Sequence, residues 1–257
     1  MSIRWAKRVR SVSELGSARE AGFGQVQLPV GAVMEWEDDA AFERERRRLL
    51  ATGLSFGSFE SPLPKDVRVT EPGFNIYSWT EYLNVAIRRA AGLGCETLIW
   101  GEGRARLLPI EGETAALKET LNQFVYALSG IAERNGIAVC VQPLGPRRTN
   151  FLNSIREVRD FLGLIGKDNL ALAVSPRDLY ETDLDVRELL PNADMLRHVH
   201  VEHPAVAEIS KAPRPGDGWD YAPFFAVLRD SGYEGTIALP FDADSSSLAY
   251  CADLWEP

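Results

Sequence analysis

The chain has 257 residues, 45% of them hydrophobic and 25% charged, which suits one large buried core. A net charge of −9 and an isoelectric point of about 5.0 exclude the basic face that general nucleic-acid binding needs. No apolar run approaches the ~18 residues that would span a bilayer, so no membrane partner is expected. The opening MSIRWAKRVRS carries charge but no apolar stretch, so no secretory leader is expected. The three cysteines, Cys95, Cys140 and Cys251, have neither metal-ligand spacing nor the density of a disulfide framework. Cys95 and Cys140 read as small core residues. A soluble protein of the reducing cytoplasm is expected.

Short apolar runs alternate with helical patterns along the whole chain. A first strand is predicted over residues 3–7. A helix follows with Ser11 or Ser13 as N-cap and Gly22 as stop. Residues 23–30 read as a second strand, 38–53 as a helix, and 54–59 as a third strand. The run ERERRR, Glu43 to Arg48, reads as the solvated face of that helix. A helix capped by Ser78 or Thr80 runs to Gly94, and CETLIWG, Cys95 to Gly101, is a fourth strand.

The next helix covers about Thr114 to Arg134. Leu117, Leu121, Phe124, Leu128 and Ile131 recur at three- and four-residue spacing, and Asn135-Gly136 ends it. Residues 137–144 form a fifth strand. A helix from Asn153 or Ser154 carries Ile155, Val158, Leu162 and Ile165 on one stripe and stops at Gly166. LALAV, Leu170 to Val174, is a sixth strand whose end, Ser175-Pro176-Arg177-Asp178, is polar. Residues 185–193 read as a short helix, 196–203 as a seventh strand, 221–232 as a helix, 235–241 as an eighth strand and 245–255 as a final helix.

Eight strand–helix units without a low-complexity linker require parallel pairing with crossover helices. That is the size of an α/β fold of the (β/α)8 TIM-barrel type, one domain over residues 1–257. A doubly wound open sheet would usually carry a glycine-rich first turn, and KRVRSVSE has no glycine. The GEG of residues 101–103 is a lone fragment of such a signal.

In a barrel, chemistry gathers at the C-terminal ends of the strands. The polar residues there are Gln27, Trp100, Glu102, Arg106, Gln142, Ser175, Arg177, Asp178, His198, His200, Glu202, His203 and Asp242. All three histidines fall within HVHVEH, and histidine is the commonest metal and proton-transfer side chain near neutral pH. The plainer alternative is that His200 is a hydrogen-bonded barrel-lining residue. No Gly-x-Ser-x-Gly elbow is present.

Several pieces together resemble the xylose isomerase-like barrels, in the sugar isomerase/epimerase branch that includes hydroxypyruvate isomerase and the ketose 3-epimerases. They are AGFGQVQL, WGEGRARLLP, AERNGIAVCVQPLGPRRTNFLNS, HVHVEH and RPGDGWDYAPFFAVLRDSGYEGTIAL, in order along nearly the whole chain. The resemblance implies one divalent metal, held by a glutamate, an aspartate, a histidine and a glutamate on strands five to eight, with the glutamates exchanging protons with carbon. At the matching positions this chain has Gln142, Ser175, His200 and Pro240. Asp178 stands where the resemblance implies a substrate-contacting histidine.

Three of the four expected ligands are therefore absent, and an amide cannot replace the proton-exchanging carboxylate. The expectation is a small carbohydrate-like ligand, no metal and no other cofactor, with Mn²⁺ or Mg²⁺ as the alternative. His200, Asp178 and Glu202 are the candidate acid–base set. Gln142, Ser175, Arg177, Trp100, Glu102, Arg214 and Asp242 are candidate ligand contacts. Arg147 and Arg148 are further anion contacts, and Trp5 and Trp219 are stacking surfaces or core. Asp178, Glu202 and Asp242 would be the replacement ligands if a metal were held. A non-catalytic ligand- or partner-binding relative is the other reading. The resemblance suggests a homodimer. The superfamily's three-zinc DNA-repair branch is disfavoured by the three histidines and the negative charge.

Overall fold

The computed structural model describes residues 3–36, 38–205 and 210–256. Eight parallel strands close into a barrel in sequence order, with β1 hydrogen-bonded to both β2 and β8. The strands are β1 (Arg4–Arg8), β2 (Gln25–Pro29), β3 (Ser55–Glu60), β4 (Thr97–Trp100), β5 (Ala138–Val141), β6 (Leu170–Val174), β7 (Leu196–His200) and β8 (Thr236–Leu239). One α-helix follows each strand. They are α1 (Leu15–Glu20), α2 (Asp39–Leu50), α3 (Tyr77–Gly92), α4 (Ala115–Glu133), α5 (Ile155–Ile165), α6 (Pro176–Glu181), α7 (Ala222–Asp230) and α8 (Ser245–Trp255). This is the expected (β/α)8 barrel.

Strand composition sorts by direction. Phe59, Leu98, Val139, Val141, Leu172, Val174, Val199, Ile237 and Leu239 join one large core with the helices. The alternate positions Ile99, Cys140, Ala171 and Ala173 form a second, smaller cluster. Ile99, Cys140 and Ala171 are register neighbours on successive strands, so this cluster is a layer of the barrel interior. The buried polar residues Gln25, Gln27, Ser58, His198, His200 and Thr236 lie on the other strands. Gln25 Nε2 donates to Thr236 Oγ1 at 3.4 Å, bridging β2 to β8. Both faces of β6 are covered, which is why LALAV is apolar at every position.

Several elements differ from their sequence reading. The first helix is split into a 3₁₀ turn, Val12–Glu14, and the short α1. Neither Ser78 nor Thr80 caps α3; Asn75 Oδ1 accepts from the Tyr77 amide at 3.0 Å, so the helix starts one residue before Ser78. Residues 186–195 are 3₁₀ helix, because Pro191 lacks the N–H an α-helix would use. The strands are shorter than their apolar runs. β7 stops at His200, so Glu202 and His203 belong to the loop beyond it.

The polar end of the sixth strand is itself a helix, which the sequence reading did not anticipate. Ser175 is the N-cap of α6 with extended φ/ψ, its Oγ accepts from the Asp178 amide at 3.2 Å, and Pro176 occupies the first turn. The Glu43–Arg46 and Glu45–Arg48 pairs along α2 fit the solvated face read from ERERRR. All three cysteines are buried and unpaired. Among the described residues no helix is long and apolar enough to cross a membrane.

Candidate functional site

At the C-terminal mouth of the barrel lies a cavity of about 240 Å³. It is lined by Arg8, Arg148 and Arg177, by Glu60, Glu102 and Glu202, and by Gln142 and His200. Several of these charges are paired. Arg8 Nη2 meets Glu60 Oε2 at 2.9 Å. Arg177 lies 3.1 Å from Glu181 and 3.6 Å from Glu202.

A continuous hydrogen-bonded array crosses the mouth, and its directions follow from one end. Asp178 is a carboxylate, which only accepts. It accepts from Gln142 Nε2 at 2.6 Å, from Ser175 Oγ at 3.0 Å and from the Gly145 amide at 3.3 Å, and it pairs with Arg148. With its amide nitrogen committed there, Gln142 turns its oxygen to His200 Nδ1 at 3.1 Å, so Nδ1 carries the proton. Burial and the nearby Arg8 push the His200 imidazole well below its ordinary range, so the ring is neutral and Nε2 accepts. Gln27 Nε2 donates to it at 2.9 Å and also donates to Glu60 Oε2 at 2.9 Å. Arg8 closes the array on Glu60. Every member has a partner of the correct polarity.

The four positions at which the resemblance implies metal ligands all lie at strand ends. Gln142 has both ends of its amide engaged, and Ser175 is spent on capping α6 and on Asp178. Both ring nitrogens of His200 are hydrogen-bonded. Pro240, just past β8, offers no side-chain donor. Among the described residues no group of three His, Cys, Asp or Glu side chains could hold a metal ion.

Of the residues expected from sequence, the structure brings His200, Glu202, Gln142, Arg177 and Glu102 to one cavity. Asp178 and Ser175 stand behind it through Gln142. Trp100 is only 1% exposed and packs against Phe124 at 5.5 Å, with the Arg106 guanidinium 5.4 Å from its ring, so it is largely core. Arg214 and Asp242 do not line the mouth. Arg214 pairs with Asp244 at 3.1 Å, and Asp242 Oδ1 accepts from the Ala212 amide at 2.9 Å. Trp5 packs on Phe225, and Trp219 on Tyr180.

Sequence reading missed Arg8, Glu60 and Ser61. Arg8 falls in KRVRSVSE, which reads as the turn after the first strand. Only the pairing of β1, β2 and β3 shows that it ends a strand at the mouth. The available signal was positional, since both Arg8 and Glu60 end apolar runs.

Burial pushes the Glu102 carboxyl up to about 7, with Glu60 reinforcing the shift and the Ser61 hydroxyl and Arg106 opposing it. His198, one layer deeper, is driven down to about 3 by burial and by Arg8 and Arg4, and its ring meets that of His200 edge-on at 4.8 Å.

The xylose isomerase-like TIM barrel family model matches residues 15–248. The chain belongs to that family. Its fold is that of solved sugar epimerases. It superposes on a D-psicose 3-epimerase solved in the presence of D-fructose with a TM-score of 0.79 at 14% identity, covering 99% of this chain and 100% of that one. An L-ribulose 3-epimerase gives 0.79 at 18% identity over 99% and 95%. The 3-keto-D-glucoside 4-epimerase of E. coli gives 0.76 at 16% identity over the full length of both chains. No curated protein sequence matches. At these identities the likeness is one of fold.

Proposed function

We propose that this barrel binds a small sugar- or sugar-acid-like molecule at its C-terminal mouth, and that a hydrogen-bonded array has replaced the divalent-metal site that the resemblance implies. The observation that carries this is the Asp178–Gln142–His200–Gln27–Glu60 array. It uses the donor atoms that a metal would need. The residues at the four ligand positions do not fit a divalent cation, because two neutral and already bonded side chains, one imidazole without a free nitrogen and a proline cannot form a hard-ligand shell.

The cavity suits a polyol. Its lining combines donors and acceptors, and each ligand hydroxyl can serve as both. The structural neighbours named for ketoses and a keto-glucoside support the same ligand class. In this reading His200 and Asp178 hold the mouth in shape, while Glu202 and Glu102 face the ligand. The unpaired, buried cysteines accord with a reducing compartment, and a cytoplasmic protein is proposed.

A second reading is a binding protein without catalysis. It is favoured by the full engagement of His200 and Asp178, since a group with no free acceptor is poorly placed to move a ligand proton.

The test is metal content after growth and dialysis with Mn²⁺, Co²⁺ and Mg²⁺, with a His200→Ala control and ketose titrations by calorimetry. Substoichiometric metal in both proteins together with saturable ketose binding is expected. Stoichiometric metal that disappears in the control would overturn the proposal and return Asp178, Glu202 or Asp242 as ligands.

A further inference from the structure

Gly101-Glu102-Gly103, just past β4, is the feature that ligand binding leaves unexplained. Its glycines are sterically imposed. A Cβ at Gly101 would stand 2.9 Å from Gln142 Oε1, and one at Gly103 would stand 2.2 Å from the Arg148 carbonyl oxygen. The backbone thus runs hard against the β5 side of the mouth, and Glu102 is the only side chain of the three. It borders the mouth cavity and also a neighbouring cavity of about 250 Å³ walled by Leu63, Trp100 and Ala105.

Both Glu102 oxygens are shielded from solvent, and among the described residues neither has a hydrogen-bond partner of standard geometry. Of donors, the Ser61 hydroxyl and the Glu102 backbone N–H act on the carboxyl, and a buried carboxylate so thinly supplied is costly unless a ligand adds to them. Arg148 borders the same cavity, and its Nε is likewise shielded and without an acceptor among the described residues. One thinly supplied acceptor and one orphaned donor on one small cavity call for a ligand carrying both a proton to give and an oxygen to be held.

We propose that Glu102 is the catalytic base of a metal-free enolisation of a small α-hydroxy ketone, with Arg148 donating to the carbonyl oxygen. This rests on the reading of the mouth as a sugar site. The C–H bond next to the carbonyl breaks, and its proton forms an O–H bond on Glu102. The freed pair becomes the C=C bond of an enediolate, whose charge rests on the former carbonyl oxygen beside the guanidinium. Returning the proton to carbon regenerates Glu102, with no net oxidation. One base works from one face. Return to the adjacent, former carbonyl carbon, with the hydroxyl proton of the deprotonated carbon passing to the former carbonyl oxygen, therefore interconverts ketose and aldose, whereas epimerisation would need a second donor on the opposite face. The charged groups acting on Glu102 are Glu60 from β3, Arg8 from β1 and Arg106 from the turn after β4. Its carboxyl, held at about 7, is suited to both halves of the cycle.

The experiment follows carbon-bound hydrogen exchange of D-fructose in D₂O by proton NMR, with binding measured in parallel by calorimetry. The full chain is expected to speed exchange, with a rate that rises through about pH 7. Glu102→Gln should lower that rate by at least ~100-fold while D-fructose binding, even if weakened, stays measurable by calorimetry, so that the lost exchange is read on bound ligand. Glu102→Asp, which keeps the charge, should retain part of the rate and guards against misfolding of the first variant. D-fructose bound without exchange by the full chain would overturn the inference and leave the binding proposal standing. Exchange that survives Glu102→Gln, or binding lost together with exchange, would also overturn it. No binding of D-fructose by the full chain would remove the ketose-site reading and the inference with it.

Discussion

His198 and His200 are held neutral inside the barrel, and this sets a sign for acid stability. Their ordinary value is 6.5, while folding lowers His198 to about 3 and His200 well below that ordinary value. Between those limits the unfolded chain binds protons that the folded chain does not, so stability falls as pH drops from 6.5. Each fully shifted histidine contributes about 1.4 kcal/mol per pH unit. Glu102 acts in the opposite direction between 4.5 and about 7, since there the folded chain holds the extra proton. The net is about one proton taken up on unfolding near pH 5.5. Denaturant midpoints should therefore decline on acidification through that range, and Glu102→Gln should steepen the decline. Histidine-selective NMR should show the His198 and His200 rings unprotonated at about pH 5; a titrating His198 would contradict the burial argument.

Among the elements, α6 and α4 make contrasting cases. Ser175 caps α6 and bonds Asp178 with the same hydroxyl. Ser175→Ala should cost about 1–2 kcal/mol in chemical denaturation, and Ser175→Thr, which keeps the oxygen, should cost much less. Gly130 lies inside α4, and a Cβ there would meet nothing within 4 Å. Gly130→Ala is expected to stabilise the chain by about 0.5–1 kcal/mol, read as a raised melting temperature. At Gly103, by contrast, an added Cβ would collide with backbone. Gly103→Ala should destabilise by roughly 1–3 kcal/mol, and unchanged stability would show that the loop yields easily. The helices were legible because their stripes repeat every three or four residues. α6 was not, since six residues hold too few repeats to separate a short helix from a polar loop.

For the whole molecule, net charge and fold meet at low pH. The net charge of −9 vanishes near the isoelectric point of about 5.0, where repulsion between copies is lost. The same range is where the buried histidines begin to oppose folding. A solubility minimum near pH 5 is expected by light scattering, with aggregation faster than in an equally acidic protein whose histidines are exposed.

The sequence by itself determined the barrel. Alternating buried strands and amphipathic helices are short-range patterns, and eight of them leave little topological choice. It also determined that Gln142, Ser175 and Pro240 stand at positions where carboxylates are implied, since side-chain chemistry is fixed by residue type. Only the tertiary structure decided what those residues do. Gln27 reaches His200 across 173 positions of chain, Arg8 reaches Glu60 across 52, and Gln142 reaches Asp178 across 36. Such contacts arise from barrel closure and strand register, which bring distant strand ends to one mouth. The isolation of Glu102 has the same origin, because a carboxylate is shielded or solvated according to what the rest of the chain packs around it.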